Sequence, residues 1–332
     1  TLNLLLDRGA DPNKCKVPLP VLFVAIMAGD TETVRRLLLS GAQTGISLSL
    51  ERKGLYPLHV AAALPGPESP KIIELLLHAL SDPDARASDQ NEIYELDKVS
   101  ITIRKSCRSH RTPTPEEGGR TALHMICQRE TDHSQNASKA VALLLSHRAR
   151  TDLLWSGHSP LSLAISSGND MAVDVLLKGG ADPNIPLGLG VGNALCALSN
   201  FSYNLDMLIK AGADMLMPVH IGDLEGTAVD YAHFSFDSRI ANTPFNTLNM
   251  EERETFKSRR HLLGLMGDLL RYKAVKRQTV YELSPSLKQL RFCYHCGLSA
   301  AVTLSECTRC HKVLYCSTHC KLKAWNKGHK QE

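Results

Sequence analysis

The chain has 332 residues and a mass of 36.4 kDa, with 43% hydrophobic and 22% charged side chains, the balance of a folded soluble protein with room for about two domains. Disorder throughout is excluded; no apolar run approaches a membrane-spanning helix, and the opening TLNLLLDRGADPN lacks the basic flank and cleavage signature of a secretory signal. The net charge of +4 is too small to argue for nucleic acid, but residues 251–332 carry 16 basic and 7 acidic side chains, +9, which leaves −5 for the first 250. Six of the ten cysteines lie between Cys293 and Cys320, with Cys15, Cys107, Cys127 and Cys196 scattered singly. That distribution fits a local metal site in an intracellular, reducing compartment better than a disulfide framework, without separating cytoplasm from nucleus.

From residue 1 to about residue 236 the chain repeats with a period near 33. RGADPN (Arg8 to Asn13), SGAQT (Ser40 to Thr44), RARTD (Arg148 to Asp152), GGADPN (Gly179 to Asn184) and AGADM (Ala211 to Met215) each follow a run of leucines. A second landmark opens an Ala-rich segment: YPLHVAA (Tyr56), TALHMIC (Thr121), SPLSLAI (Ser159), NALCALS (Asn193) and TAVDYAH (Thr227), at steps of 65, 38, 34 and 34 residues. Small residues such as Ala61, Ala62, Ala164 and Ala197 allow two antiparallel helices to approach closely. The second helix of each pair offers a leucine stripe, as in Val34 to Leu39 or Val173 to Lys178, that only a neighbouring pair can bury. Gly9, Gly180 and Gly212 suit the left-handed residue that ends a helix.

These landmarks resemble ankyrin repeats, and the resemblance implies that His59 and His124 hydrogen-bond backbone around the turn. Ser162 and Cys196 depart from that histidine, while Cys127 and Cys196 read as small buried fillers rather than nucleophiles. The first repeat is expected to be truncated, and the long step of 65 reads as an insertion at about residues 85–118. Within it Lys98 to Ser106 alternates like a short strand, and its tail, Thr112 to Gly119, reads as unstructured. A proline-rich detour, Leu64 to Pro70, separates the helices of one repeat.

Residues 237–290 read as a loop followed by an amphipathic helical cap and linker, with Phe256, Leu262, Leu263, Leu265, Met266, Leu269 and Leu270 on its apolar side. Arg259, Arg260, Arg271, Lys273, Lys276 and Arg277 would then lie on the solvent side, where a membrane or partner could also be met.

Residues 291–332 carry two C-x2-C pairs, Cys293 with Cys296 and Cys307 with Cys310, then Cys316, Cys320 and His329. Thiolates and imidazole at these separations suit tetrahedral zinc, seven ligands for two ions. With Tyr315 before Cys316 and Trp325 between Cys320 and His329, the order resembles the MYND-type zinc finger. The resemblance implies interleaved ligation: Cys293, Cys296, Cys316 and Cys320 on one ion, Cys307, Cys310, His329 and a cysteine at position 333 on the other, so that the chain is expected to be a fragment at both ends. His295, His311 and His319 are neighbours of lesser promise, and Tyr315 and Trp325 are expected to form the module's small core. Lys321 stands where the family commonly has glutamine.

No Gly-x4-Gly-Lys-Ser/Thr loop, Gly-x-Ser-x-Gly elbow or His-Glu-x-x-His helix occurs, and the glycines of Leu187 to Asn193 follow no strand. The complete module would fill both zinc shells and leave no position for catalytic water, while in this chain the second ion's fourth site would be open to water, an anion or a neighbouring histidine. The expected fold is therefore mostly α, an ankyrin solenoid joined by a helical cap to a double-zinc module, in a non-enzymatic monomeric adaptor with no small-molecule substrate. The MYND resemblance implies a protein or proline-containing peptide bound near Trp325. The alternative is a nucleic-acid-associated regulator acting through the basic C-terminal region, which lacks a row of stacking aromatics.

Overall fold

The computed structural model describes residues 2–15, 18–94, 117–129, 134–188, 192–198, 202–221, 224–234, 243–281, 291–311 and 313–329. It divides into two compact units, residues 1–94 with 113–182, and residues 183–332 with 95–112.

In the first unit α1 (Leu2–Asp7) precedes four helical hairpins: α2 (Val21–Met27) with α3 (Thr31–Leu39), α4 (Pro57–Ala63) with α5 (Glu68–His78), α6 (Ala122–Cys127) with α7 (Ser134–Ser146), and α8 (Pro160–Ser166) with α9 (Asp170–Lys178). Side chains at polar positions start several of them: Asp30 accepts the Thr33 N–H and Asn169 that of Ala172. The second helices pack on one another in succession, with Ile72, Ile73 and Leu76, then Ala140, Val141 and Leu144, then Ala172, Val173 and Leu176 wholly buried. Each large aliphatic removed from water there contributes about 1.5–3 kcal/mol. The proline-rich detour is shorter than expected, because α5 already starts at Glu68 and takes Pro70 into its first turn, where no N–H is needed.

Every second helix turns off two residues past its end, through a residue of positive φ: Gly41 at 85° and Gly180 at 89°, but also Leu80 at 60° and Arg148 at 64°. The turns then interlock. Asn13 donates through Nδ2 to Gly41 O and accepts the Gln43 N–H through Oδ1, both at 2.9 Å. That pair of bonds ties one turn to the next about thirty residues on.

Two points of the insertion, Tyr94 and Glu117, are clamped to one turn. Tyr94 N–H donates to Ser156 Oγ at 2.9 Å, while Glu117 pairs with Leu154 and accepts the Gly157 N–H. Residues 117–119 are thus held rather than unstructured, because Gly118 N–H donates to Leu154 O at 3.0 Å. Beneath them buried Asp89 accepts the Arg120 N–H at 2.8 Å and its Nε at 2.5 Å, and the guanidinium lies 4.8 Å above the Trp155 ring. The strand expected at 98–106 lies outside the described residues, as do residues 112–116.

His59 and His124 make the turn network that their resemblance implied. Nδ1 of His59 accepts the Tyr56 N–H at 3.1 Å and Nε2 donates to Arg120 O at 2.9 Å; His124 repeats this with Thr121 and Leu153 O. Both rings must be neutral to accept at Nδ1. Burial, the leading cause in each, holds His59 below the ordinary imidazole value and takes His124 down to about 3. Unfolded histidine titrates near 6.5, so stability is full above that pH and falls as the pH drops toward the folded value. Between pH 6.5 and about 5, where most carboxylates remain ionised, His124 should cost up to ~1.4 kcal/mol per pH unit, with His59 acting in the same direction. The urea midpoint followed by circular dichroism should fall across that window, and His124→Asn should flatten the slope.

In the second unit Ala194–Ala197 forms a single 3₁₀ turn where an Ala-rich α-helix was expected. Cys196 N–H closes on Asn193 O at 2.8 Å and Asn193 Oδ1 takes the Leu195 N–H, which exhausts the donors before an α turn can form. There follow α10 (Ser202–Lys210), an antiparallel pair β1 (Val219–Ile221) and β2 (Leu224–Gly226), α11 (Ala228–Phe234) and α12 (Met250–Tyr281). Asn184 ties its turn to Gly212 O and Asp214 N as Asn13 does in the first unit.

Helix α12 is one helix of 32 residues. Asn249 and Glu252 cap its start reciprocally, each side chain accepting the other's N–H. It packs on α10 and α11, with Leu262, Met266 and Leu270, one per turn, fully buried. Three of its cations are not on the solvent side as expected. Arg259 is buried and donates to Leu198 O and Ala232 O, Lys273 donates to Ala213 O, and Arg271 to Tyr294 O and His295 O. They satisfy carbonyls that helix and turn ends leave without partners.

Candidate metal centre

Residues 291–329 build a small module on two knuckles. In the first, Cys293 N–H donates to Leu298 O and Gly297 N–H returns to Cys293 O; in the second, His311 N–H returns to Cys307 O. The residue after each knuckle's second cysteine takes positive φ, Gly297 at 81° and His311 at 53°. Strands β3 (Ser305–Glu306) and β4 (Leu314–Tyr315) pair antiparallel, and Cys293 bridges to Leu314, which brings the first knuckle alongside the second. Ser317 then caps α13 (Thr318–Ala324) by accepting the Cys320 N–H at 3.2 Å, and a π turn, Trp325–His329, delivers the histidine.

The seven residues expected to hold metal fall into two groups, Cys293, Cys296, Cys316 and Cys320, and Cys307, Cys310 and His329, with the ligand atoms of each group within 4.8 Å of one another. The grouping is interleaved along the chain. Zinc–sulfur bonds of about 2.3 Å in a tetrahedron place sulfurs about 3.8 Å apart, and a sulfur and an imidazole nitrogen about 3.6 Å apart. The Cys296–Cys316 and Cys316–Cys320 sulfurs are separated by 3.6 and 3.5 Å, and Cys310 Sγ lies 3.5 Å from His329 Nε2. Both donor sets therefore fit zinc. His295, His311 and His319 belong to neither group.

The electrostatics favour thiolate at one sulfur of each knuckle. The Cys296 thiol, then the N–H groups of Cys296, Cys316 and His295, hold Cys293 down at about 4. The N–H groups of Cys310 and Arg309, then the His329 ring, hold Cys307 at about 6. Cys296 is pushed up because its proton is spent on Cys293, and burial pushes Cys316 up to about 11. Four thiolates cannot coexist there without a cation, and a divalent ion at the centre removes that opposition.

Among the described residues, Tyr315, 1% exposed, is the one large side chain of the module's buried cluster, beside Cys293, Cys307, Cys320 and Ala324. His329 is enclosed by Tyr294, Tyr315 and Trp325, with ring centroids at 5.4, 6.1 and 6.5 Å. Trp325 itself is half-buried and stands outside that cluster, its face covered by the Arg309 guanidinium at 4.8 Å. Elsewhere, burial pushes Cys196 up to about 12 and raises Cys127 further, so neither offers a reactive thiolate.

A residue that the sequence reading passed over anchors the module. Asp230 stands at the repeat position that His59 and His124 occupy, and its Oδ2 accepts the Thr227 N–H at 2.8 Å. Oδ1 accepts the N–H groups of Ser299 at 2.7 Å and Ala300 at 2.9 Å, and the Ser299 hydroxyl donates to Oδ2. The signal was present as an acid in TAVDYAH where a histidine is usual. Gly297 completes the approach, since a Cβ there would lie 3.1 Å from Val229 and 3.3 Å from Leu270.

The family model described as ankyrin repeats (3 copies) matches residues 1–89 and 94–186, and that described as MYND finger matches residues 293–332. Both are protein-interaction modules. The chain is 44% identical over 391 aligned positions to the mouse (Mus musculus) "Ankyrin repeat and MYND domain-containing protein 1", covering 100% of this chain and 43% of that protein. To the protein of the same name from Homo sapiens it is 45% identical over 392 positions, covering 100% and 42%. The chain thus spans less than half the length of these relatives. Among solved structures, the ankyrin repeat domain of Bcl-3 is similar at a TM-score of 0.48 and 22% identity, over 69% of this chain and 85% of that one. Matched along its whole length by these relatives and over more than half of it by the repeat model, the chain belongs to the ankyrin-repeat family and carries a MYND finger.

Proposed function

We propose that the chain is a non-enzymatic adaptor: its repeats bind a folded or extended protein, and its finger, built on two structural zinc ions, binds a proline-containing peptide beside Trp325. It acts as a monomer inside the cell, in a reducing compartment. Cys293, Cys296, Cys316 and Cys320 hold one ion; Cys307, Cys310 and His329 serve the other. The observation that carries this reading is the donor arithmetic of the first group, in which four protein thiols converge and leave no tetrahedral position for a substrate or an attacking water. The metal then supplies folding energy rather than Lewis acidity.

Trp325 sits at the end of α13 beside exposed Lys321 and Leu322, under Arg309. An apolar residue flanked by cations suits a peptide with a proline turn and an acidic neighbour. The nucleic-acid alternative is weakened because Arg259, Arg271 and Lys273 are committed to backbone carbonyls within their own unit. A protein that neutralised phosphates with the remaining cations would show a steep salt slope on DNA.

Calorimetric titration of the purified chain with proline-containing peptides bearing acidic flanks tests the reading. Trp325→Ala should weaken binding about tenfold or more, as loss of a central aromatic does, with zinc content unchanged. Equal affinity of the variant at equal zinc content would remove Trp325 from the binding surface, and micromolar binding of duplex DNA at physiological salt would favour the alternative.

A further inference from the structure

In the earlier repeats the turn histidine does two things. Its Nδ1 accepts N–H within the repeat, and its Nε2 donates to a carbonyl of the next turn, Arg120 O for His59 and Leu153 O for His124. At residue 230 the inward half is kept, with Oδ2 taking the Thr227 N–H and hydroxyl. The outward half is inverted in polarity. Where a further repeat would present a carbonyl, the finger presents the N–H groups of Ser299 and Ala300, and a carboxylate accepts what an imidazole N–H would oppose.

Two further contacts meet the same edge of the finger. Arg271 donates to the Tyr294 and His295 carbonyls inside the first knuckle, and Gly267 of α12 leaves room for Cys296 O, 3.4 Å from where its Cβ would stand. All three reach the loop that carries Cys293 and Cys296, so the ligand pair and the docking surface are one piece of chain.

We propose that the finger has a second function, as the zinc-dependent cap of the last helical repeat, and that Asp230 is the positioning residue coupling metal binding to that docking. Resting on the metal reading above, it assigns the Cys293–Ala300 edge to intramolecular capping and leaves the α13 and Trp325 side to partners. Zinc that orders the first knuckle presents Ser299 and Ala300 to Asp230, and docking in turn stabilises the ordered knuckle by the same factor.

Asp230→His discriminates this from a merely structural acid. The imidazole restores the residue of earlier repeats and can still accept from Thr227, but its Nε2–H faces two N–H groups. Three readouts on the whole chain decide: zinc content, the rate of zinc transfer to a chromogenic chelator, and hydrogen exchange of residues 228–234 and 297–300. The expected result is wild-type protection at 228–234, lost protection at 297–300, and zinc released about tenfold faster, the size of one lost charge-assisted hydrogen bond. Asp230→Asn, which keeps the shape and one acceptor, should fall between. Unchanged zinc release and unchanged protection at 297–300 in Asp230→His would overturn the coupling while leaving the metal centre standing. A wild-type chain that holds no zinc would overturn the metal reading first, and the coupling with it.

Discussion

Cys320→Ser should leave residues 291–329 without a stable fold, the largest effect expected of any single substitution in the chain. Among the described residues the finger's buried cluster has five members, three of them cysteines, with Tyr294, Leu304 and Val313 only partly buried against it. A module of this size cannot offset its chain entropy by that burial alone. Structural zinc contributes about 10–16 kcal/mol of apparent folding free energy in small modules, and serine offers no thiolate to keep it. Zinc content should fall, and hydrogen exchange across 293–324 should become fast while α7 and α9 keep their protection. His319→Ala, at an exposed residue in neither ligand group, should change none of this. Retention of full zinc content and protection by Cys320→Ser would remove the first group's role.

Asp89→Ala should destabilise the first unit by about 2–3 kcal/mol, the cost of removing a buried carboxylate's charge-assisted hydrogen bonds and leaving the Arg120 N–H without its acceptor. Asp89 is 3% exposed and accepts both the N–H and the Nε of Arg120, and its own carbonyl accepts the Trp155 indole N–H at 3.1 Å. Without the carboxylate the guanidinium retains Gln128 at 3.2 Å and a long approach to Glu92 at 3.5 Å. Against a total stability of about 5–15 kcal/mol for a domain, that loss is a large fraction. Urea unfolding of the whole chain, followed by Trp155 fluorescence in a Trp325→Phe background, should show a lower midpoint with an unchanged slope. A shift worth less than about 1 kcal/mol would mean that Trp155 and the turn at 154–158 hold the insertion's base without Asp89.

Much of this was legible in the sequence because the repeats and the knuckles are local. Glycine two residues past a helix and cysteines at spacings of three and four report conformations that neighbouring residues decide. Where the same conformation is taken by another residue the signal fades, and the turn after α5 was missed because Leu80 occupies the glycine position. The 3₁₀ turn at Ala194–Ala197 escaped for a different reason, since Asn193 redirects hydrogen bonds that the alanines alone would have closed as α-helix.

Long-range polar bonds were the least legible. Arg259 read as a solvent-side cation because helix periodicity places side chains without saying which carbonyls await them. Asp230 lies 69 residues from Ser299, and no local pattern links an acid in one element to N–H groups in another. Trp325 read both as core and as a peptide-binding residue, and it is half-buried between the His329 ring and the Arg309 guanidinium. In each case a tertiary partner, and not the residue's own propensity, set its place.

The central claim is that two groups of side chains in the finger, one of four thiols and one of two thiols with an imidazole, close around zinc as a scaffold. X-ray absorption at the zinc edge of the purified chain measures this directly. Bound zinc in a shell dominated by sulfur at about 2.3 Å, with a minor nitrogen contribution near 2.0 Å, is the predicted result. A chain purified without zinc, or a shell made only of nitrogen and oxygen, would contradict it.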